Sequence, residues 1–214
     1  MNKHLRICSI SFLICLLFSA CNNSTNDTPT ITEADSIEAK PLTPTDTVAA
    51  KPSTKEFRSH INSKAVLTAA ELDTTDDKRL EDKILYNIYS KLNESLDNDA
   101  AVIPTLSRPR QVIYYIYEME GEVNNGGFDQ YFLNSKGKSS KTTIDALKEI
   151  NALKFSSLLI QAESIFKSSD KTGDQKQELY SKLDQEFYAL YKTEDISSLK
   201  VKYIRDNIQR LVDK

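Results

Sequence analysis

Residues 107–134 read SRPRQVIYYIYEMEGEVNNGGFDQYFLN and contain the clearest helical pattern in the chain, with a glycine pair inside it. Ser107 and Pro109 are typical of a helix start, because a proline in the first turn has no N–H to leave unpaired. The apolar residues recur at helical spacing, which predicts one buried face. That face comprises Val112, Ile113, Ile116, Met119 and Val123. The pair Gly126-Gly127 should break the helix through positive backbone angles, and we expect a helix to resume directly after it.

The same helical spacing continues through the rest of residues 71–214. Apolar residues repeat in this way in the segments 80–96, 144–150, 155–166, 179–190 and 199–211. We find no run of strict alternation bounded by turn residues, so a sheet is not expected. The sequence therefore predicts an all-α fold, with a single globular domain of about six or seven helices over residues 71–214. A domain of this length can bury close to 70% of its unfolded surface.

Polar residues at the ends of these segments predict where helices begin and end. Thr74 or Thr75 should cap the first segment, and Thr142 or Thr143 should begin the helix that carries residues 144–150. Asn151 should end that helix, since asparagine tolerates a left-handed conformation.

The first 20 residues have the composition of a secretion signal. Lys3 and Arg6 precede an apolar run, ICSISFLICLLFSA, that is shorter than the about 20 residues a membrane-spanning helix needs. The run leads into FSAC at residues 18–21, which resembles the lipobox of bacterial lipoproteins. The cysteine of that motif receives a diacylglycerol group before the chain is cut in front of it. We therefore expect a lipoprotein signal peptide over residues 1–20 and lipid on Cys21, with an ordinary secretory peptide as the alternative.

No cysteine follows Cys21, so the body of the chain has no disulfide framework and must be held by its core. Lipid is the natural occupant of the single thiol that cleavage would leave. Two or more acyl chains hold firmly, since each buried methylene contributes ~0.8 kcal/mol. The mature protein should sit on a membrane without spanning it.

Residues 21–70 are predicted to be a disordered tether. From residue 22 onward this stretch has nine threonines, five serines and four of the chain's six prolines, and its single aromatic residue is Phe57. Such a segment cannot bury enough apolar surface to offset the entropy of ordering it. As a flexible coil it would span roughly 40 Å. Residues 56–70 leave an alternative open, namely a short helix packed on the domain.

The predicted domain lacks the residue types of common catalytic and metal sites. Residues 71–214 contain no cysteine and no histidine, because the two histidines are His4 and His60. This excludes a Ser-His or Cys-His pair and a metal site of nitrogen or sulfur ligands, so we expect no enzyme activity, no metal and no cofactor. The domain has 25 acidic and 21 basic residues, a formal charge of −4. The charges are intermixed, so nucleic-acid binding is not expected.

The segment around the glycine pair is the unusual feature. Glu118 and Glu122 share one helix face, and Asp129 follows the break. Paired carboxylates serve as acid and base or bind a hard cation. We favour a structural interpretation, in which the acids are solvated, three aromatic residues fill the core, and Gln130 and Asn134 satisfy backbone groups at the break. The aromatic residues are Phe128, Tyr131 and Phe132.

The same segment is the candidate binding surface, since irregular polar segments on a rigid scaffold often carry function. Its residues are Glu122, Asn124, Asn125, Gly126, Gly127, Phe128, Gln130, Tyr131 and Asn134.

The run NNGGFDQYFLNSKG, followed by IDALKEINA and later by LKVKYIRDNIQ, resembles the DNA mimic protein 19-like family. The resemblance covers about residues 75–214 and implies a helical domain otherwise of unknown function. The matching signature is Asn125, Gly126, Gly127, Phe128, Gln130, Tyr131, Phe132 and Asn134. The namesake of the family is a strongly acidic cytoplasmic protein that mimics DNA and occupies a transcription regulator. A DNA-mimic regulator is therefore one alternative for this chain.

These features favour a lipoprotein of the cell envelope, anchored outside the cytoplasm. We expect its domain to be a helical interaction or binding module. Its expected partners are the membrane, through the lipid on Cys21, and an unknown protein or other envelope component. A second alternative is a carboxylate-based hydrolase of envelope glycans that uses Glu118, Glu122 or Asp129. That chemistry needs two carboxylates about 5–9.5 Å apart across a cleft.

Overall fold

The structure, a computed structural model, describes residues 66–93, 95 and 97–213. The predicted signal peptide, Cys21 and the predicted tether as far as residue 65 lie outside the described residues. Within the described ranges the chain forms nine α-helices and one 3-10 turn. In chain order they are α1 (Ala69–Thr74), α2 (Asp77–Tyr89), α3 (Asp99–Val102), the 3-10 turn (Ile103–Thr105), α4 (Arg108–Ser135), α5 (Ser140–Glu149), α6 (Leu153–Lys167), α7 (Gly173–Leu190), α8 (Ile196–Asp206) and α9 (Ile208–Leu211).

Six of these helices are ten residues or longer, and the described residues contain no strand. The predicted all-α fold is therefore confirmed. None of the nine helices is long and apolar enough to cross a membrane.

Helix α4 is the centre of the domain and contacts α2, α5, α7, α8 and α9. Its predicted inner face is confirmed, since all five residues of that face are at most 1% exposed. Pro109 lies in the first turn, as the sequence predicts. Burial of each apolar side chain contributes about 1.5–3 kcal/mol, so the spacing that forms α4 also fixes it in the core.

The ends of the helices follow the sequence predictions only in part. Asn151 adopts a left-handed φ of 64° just after α5, as expected. However, α5 begins before either of the threonines expected to start it. Helix α2 is capped by Asp76, whose carboxylate accepts the Lys78 N–H at 2.9 Å. The threonine caps were wrong for α2 because Thr74 and Thr75 end the short helix α1 instead.

A buried lysine joins three helices. Lys200 of α8 donates to Glu120 of α4 at 2.8 Å and to Glu81 of α2 at 2.7 Å. The Tyr191 hydroxyl donates to the other oxygen of Glu120 at 2.8 Å. Burial alone would lower the pKa of Lys200, but the two carboxylates outweigh it and raise the pKa, so Lys200 stays charged. Glu120 is therefore an internal ion-pair partner, which corrects the expectation of solvated acids in this segment.

Asp213 joins the two ends of the described chain. Its carboxylate accepts hydrogen bonds of 2.7–2.8 Å from Leu67 N–H, Asn87 Nδ2, Lys91 Nζ and Arg110 Nη2. Its own N–H donates to the Leu67 carbonyl at 2.9 Å. Burial alone would raise the pKa of Asp213, but these donors outweigh it and lower the pKa to about 2. The start of the domain is thereby fixed to the first turn of α4.

Candidate functional site

Helix α4 is interrupted at the glycine pair. Gly126 has φ −163° and ψ 24°, and Gly127 has φ 74° and ψ −175°, while helical backbone continues on both sides. The predicted break is therefore confirmed. The positive φ falls on Gly127, in a region that only glycine enters easily.

Two side chains of α7 satisfy the break from the side on which α7 packs. Asp184 Oδ1 accepts the Phe128 N–H at 2.9 Å, and the Tyr188 hydroxyl donates to the Val123 carbonyl at 3.2 Å. Such backbone groups at an interrupted helix would otherwise lose their intrahelical partners. Gly127 permits this close approach, since a Cβ there would lie 2.3 Å from Asp184 Oδ2.

Neither of these residues of α7 was predicted from the sequence. Burial raises the pKa of the Asp184 carboxyl, the Phe128 N–H opposes that rise, and the charge of Asp129 adds to it. The one signal in the sequence was the position of Asp184 beside Leu183 and Phe187, which form the apolar face of α7. That position places Asp184 at the edge of the apolar face of α7, but it does not show which segment of the chain packs there.

Three polar side chains meet on the other side of the break. Glu122 Oε2 accepts the Gln130 amide at 2.9 Å and the Asn134 amide at 2.7 Å. Glu122 precedes the glycine pair and both amides follow it, so these bonds fix the two halves of α4 relative to each other. The Gln130 side chain lies over Gly126, where a Cβ would come within 2.2 Å of its Oε1. The expectation that the amides serve backbone groups was wrong, because Asp184 and Tyr188 fill that role.

The aromatic residues after the break belong to the core. Phe128, Tyr131 and Phe132 are at most 2% exposed, as the structural interpretation predicts. The Phe132 ring stacks on Phe166, with 4.8 Å between centroids, and Phe128 contacts Phe187 edge-on at 5.9 Å. The candidate binding surface therefore needs a correction. Three of its residues, Gly127, Phe128 and Tyr131, lie beneath the surface. Side chains of α7 lie against Gly127 and Phe128, and the Tyr131 hydroxyl lies 3.3 Å from Thr143 Oγ1 of α5.

The three acids of the hydrolase hypothesis have different surroundings. Glu118 accepts a hydrogen bond from the Tyr89 hydroxyl, Glu122 holds the two amides, and Asp129 is exposed. Both glutamates are half-buried, which corrects the expectation of solvated acids. In the part of the chain that the structure describes, no three His, Cys, Asp or Glu side chains are placed to hold a metal ion.

The described residues thus form an all-helical domain built round a broken central helix, with a polar surface at the break. Residues 104–207 match the model of the family described as DMP19-like protein. This part of the chain is similar to the DMP19-like family. The match contains the whole break together with α7, which holds it. No curated protein and no solved structure matches the chain.

Proposed function

We propose that the protein is a lipid-anchored binding module of the cell envelope. Cys21 would hold it to a membrane outside the cytoplasm, and the break in α4 would contact a protein or another envelope component. The contact region is the kink surface, which we define by the residues of the break that reach the surface. They are Glu122, Asn124, Asn125, Gly126, Gln130 and Asn134. The anchor rests on the signal-like residues 1–20 and the lipobox-like residues 18–21.

The held carboxylate of Glu122 is the observation that carries the binding role. Gln130 and Asn134 both donate to Oε2, and among the described residues Oε1 accepts no hydrogen bond. Asn124 and Asn125 are exposed beside it. A side chain already held in place avoids an ordering cost of about 0.5–1.5 kcal/mol when a partner binds. The kink surface therefore presents a preorganised acceptor next to two exposed amides.

The first test compares capture of a partner with stability. Full-length tagged protein is crosslinked in its own envelope as wild type and as Gln130→Ala with Asn134→Ala. We expect capture to be lost while stability falls by only about 1–2 kcal/mol, because two hydrogen bonds are removed. Gln177→Ala with Gln185→Ala, on exposed positions of α7, is the matched control. Intact capture in the first variant would make the kink surface structural only.

Glu122→Gln sharpens this test. The new amide oxygen still accepts from Gln130 and Asn134, so the break stays joined, while the negative charge disappears. We expect reduced capture with an unchanged unfolding temperature. A loss of stability as large as that of the double variant would instead assign the carboxylate a purely structural role.

The anchor needs its own experiment. We expect wild-type protein to incorporate labelled fatty acid and to fractionate with membranes, whereas Cys21→Ser does neither. Wild-type protein found wholly in the cytoplasm would contradict the proposed location. That result would favour the DNA-mimic alternative instead.

A further inference from the structure

Five tyrosines gather where α2 packs on α4. We call this group the tyrosine face; it consists of Tyr86, Tyr89, Tyr114, Tyr115 and Tyr117. The ring centroid of Tyr89 lies 6.0 Å from that of Tyr114 and 6.4 Å from that of Tyr117. Tyr115 contacts Tyr114 edge-on at 5.5 Å. Tyr89 and Tyr114 are buried and the other three are half-buried, so part of the aromatic area reaches the surface.

Carboxylates surround the tyrosine face. The Tyr89 hydroxyl donates to Glu118, and the Tyr114 hydroxyl donates to Asp99 at 3.1 Å. Burial raises the pKa of Tyr117, and the negative charge of Glu118 raises it further. The tyrosine face therefore combines aromatic rings with negative charge, which suits an apolar segment that carries cations.

The chain enters the described domain beside this face. Asp213 holds both Leu67 and Asn87, and Asn87 lies two residues before Tyr89 on α2. Residues 55–65 immediately precede the described domain and extend at most roughly 35–40 Å. The tyrosine face is within reach of that segment.

The chemistry of residues 55–65, KEFRSHINSKA, fits the face. Phe57 is the single aromatic residue between positions 22 and 70, and Ile61 follows it by four residues, which would place both on one helix face. Three residues of the segment are basic and one is acidic. An arginine over a tyrosine ring is attracted by the negative face of the aromatic system.

We propose that residues 55–65 dock on the tyrosine face, with Phe57 and Ile61 against the tyrosine rings and Arg58 beside Glu118. The occupant is this segment of the same chain. Residues 22–54 then form the free part of the tether, which spans roughly 30 Å as a flexible coil. With this docking, the tether is attached to the domain at α2 and α4 in addition to Leu67.

A tryptophan reporter tests this docking directly. The chain contains no tryptophan, so Phe57→Trp introduces a single indole. In the full-length protein in neutral detergent, we expect blue-shifted emission and several-fold weaker acrylamide quenching than for Thr43→Trp, the matched tether position. Equal emission and quenching at the two positions would overturn the proposal.

Two further variants identify what covers the indole. Tyr117→Ala, checked for folding by circular dichroism, should return F57W emission toward that of T43W. A blue shift that Tyr117→Ala leaves unchanged would indicate the detergent micelle and overturn the proposal. Arg58 lies outside the described domain, so its substitution leaves the domain itself unchanged. Arg58→Glu should also raise acrylamide quenching of the F57W indole, whereas Arg58→Lys should not. Protection that increases with protein concentration would assign the contact to a second copy and overturn docking within one chain.

Discussion

Gly127→Ala should destabilise the domain by about 2–6 kcal/mol, a sum of two contributions. The first is backbone strain, since a φ of 74° with a ψ of −175° is essentially restricted to glycine and costs other residues about 1–3 kcal/mol. The second is a clash, because the new Cβ would lie 2.3 Å from Asp184 Oδ2 and 2.8 Å from its Cγ. The carboxylate must move and release the Phe128 N–H, and a buried unsatisfied donor costs about 1–3 kcal/mol. Domains are typically stable by about 5–15 kcal/mol, so the loss is large.

Urea unfolding followed by circular dichroism measures this loss, and the chain supplies its own controls. Gly173→Ala lies at the start of α7 with open space around its Cβ, so stability should stay the same or rise by up to about 1 kcal/mol. The loss of unfolding free energy in Gly126→Ala should lie between those of Gly127→Ala and Gly173→Ala. The backbone at Gly126 suits any residue, but a Cβ there would meet the Gln130 side chain at 2.2 Å.

A double-mutant cycle tests the mechanism of the loss. In the double variant Gly127→Ala with Asp184→Ala the clash is absent. The hydrogen bond from the Phe128 N–H, which each single variant loses, is then counted only once. The two single losses should therefore exceed the loss of the double variant by about 1–3 kcal/mol. Strict additivity, or a Gly127→Ala variant as stable as Gly173→Ala, would refute the assigned contact between the break and α7.

Three other predictions concern polar contacts elsewhere in the domain. The pKa of Asp213 lies below its value in the unfolded chain, so its contribution of about 2 kcal/mol is present above about pH 4 and is lost as pH falls toward 2. The difference in unfolding free energy between wild type and Asp213→Asn should accordingly shrink across that range, and a constant difference would contradict the assignment. Glu120→Gln should cost somewhat less than the about 3–5 kcal/mol of a broken buried pair, because Glu81 still faces Lys200. Thermal unfolding measures this, and Glu178→Gln, in the exposed pair with Lys182, should change little. Glu194 accepts the Lys154 and Phe155 N–H groups at the start of α6, so Glu194→Ala should cost about 1 kcal/mol and speed hydrogen exchange in that turn alone.

Local patterns predicted the helices and the break. The apolar spacing of α4 is set by the geometry of one helix, so its buried face could be read from residues a few positions apart. The glycine pair likewise predicts a break, because glycine adopts positive φ angles that other residues avoid. Helix starts were less predictable, because several neighbouring serines, threonines and acids can serve as caps. Asp76 caps α2 although two threonines just before it are equally suitable by type.

The partners of the break could not be predicted because they depend on packing between distant segments. Asp184 follows Phe128 by 56 residues, and Asp213 follows Leu67 by 146. Nothing in the sequence near either acid shows which N–H it will accept. The amides were assigned to the wrong acceptor for the same reason. The helical spacing places Glu122 on one face of the helix. However, Gln130 and Asn134 reach its carboxylate only because the helix is broken at the glycine pair.

The signature that pointed to the family is explained mostly by the fold. Its two glycines make the break, and its three aromatic residues fill the core. Gln130 and Asn134 hold Glu122, which the signature does not contain. Asn125 is the one signature residue that is exposed with no such role. A sequence can therefore match the signature and keep the broken helix while its neighbouring surface residues differ. We infer that the signature specifies how the helix is broken and held, whereas Glu122 and Asn124, two polar residues of the proposed kink surface, lie outside it.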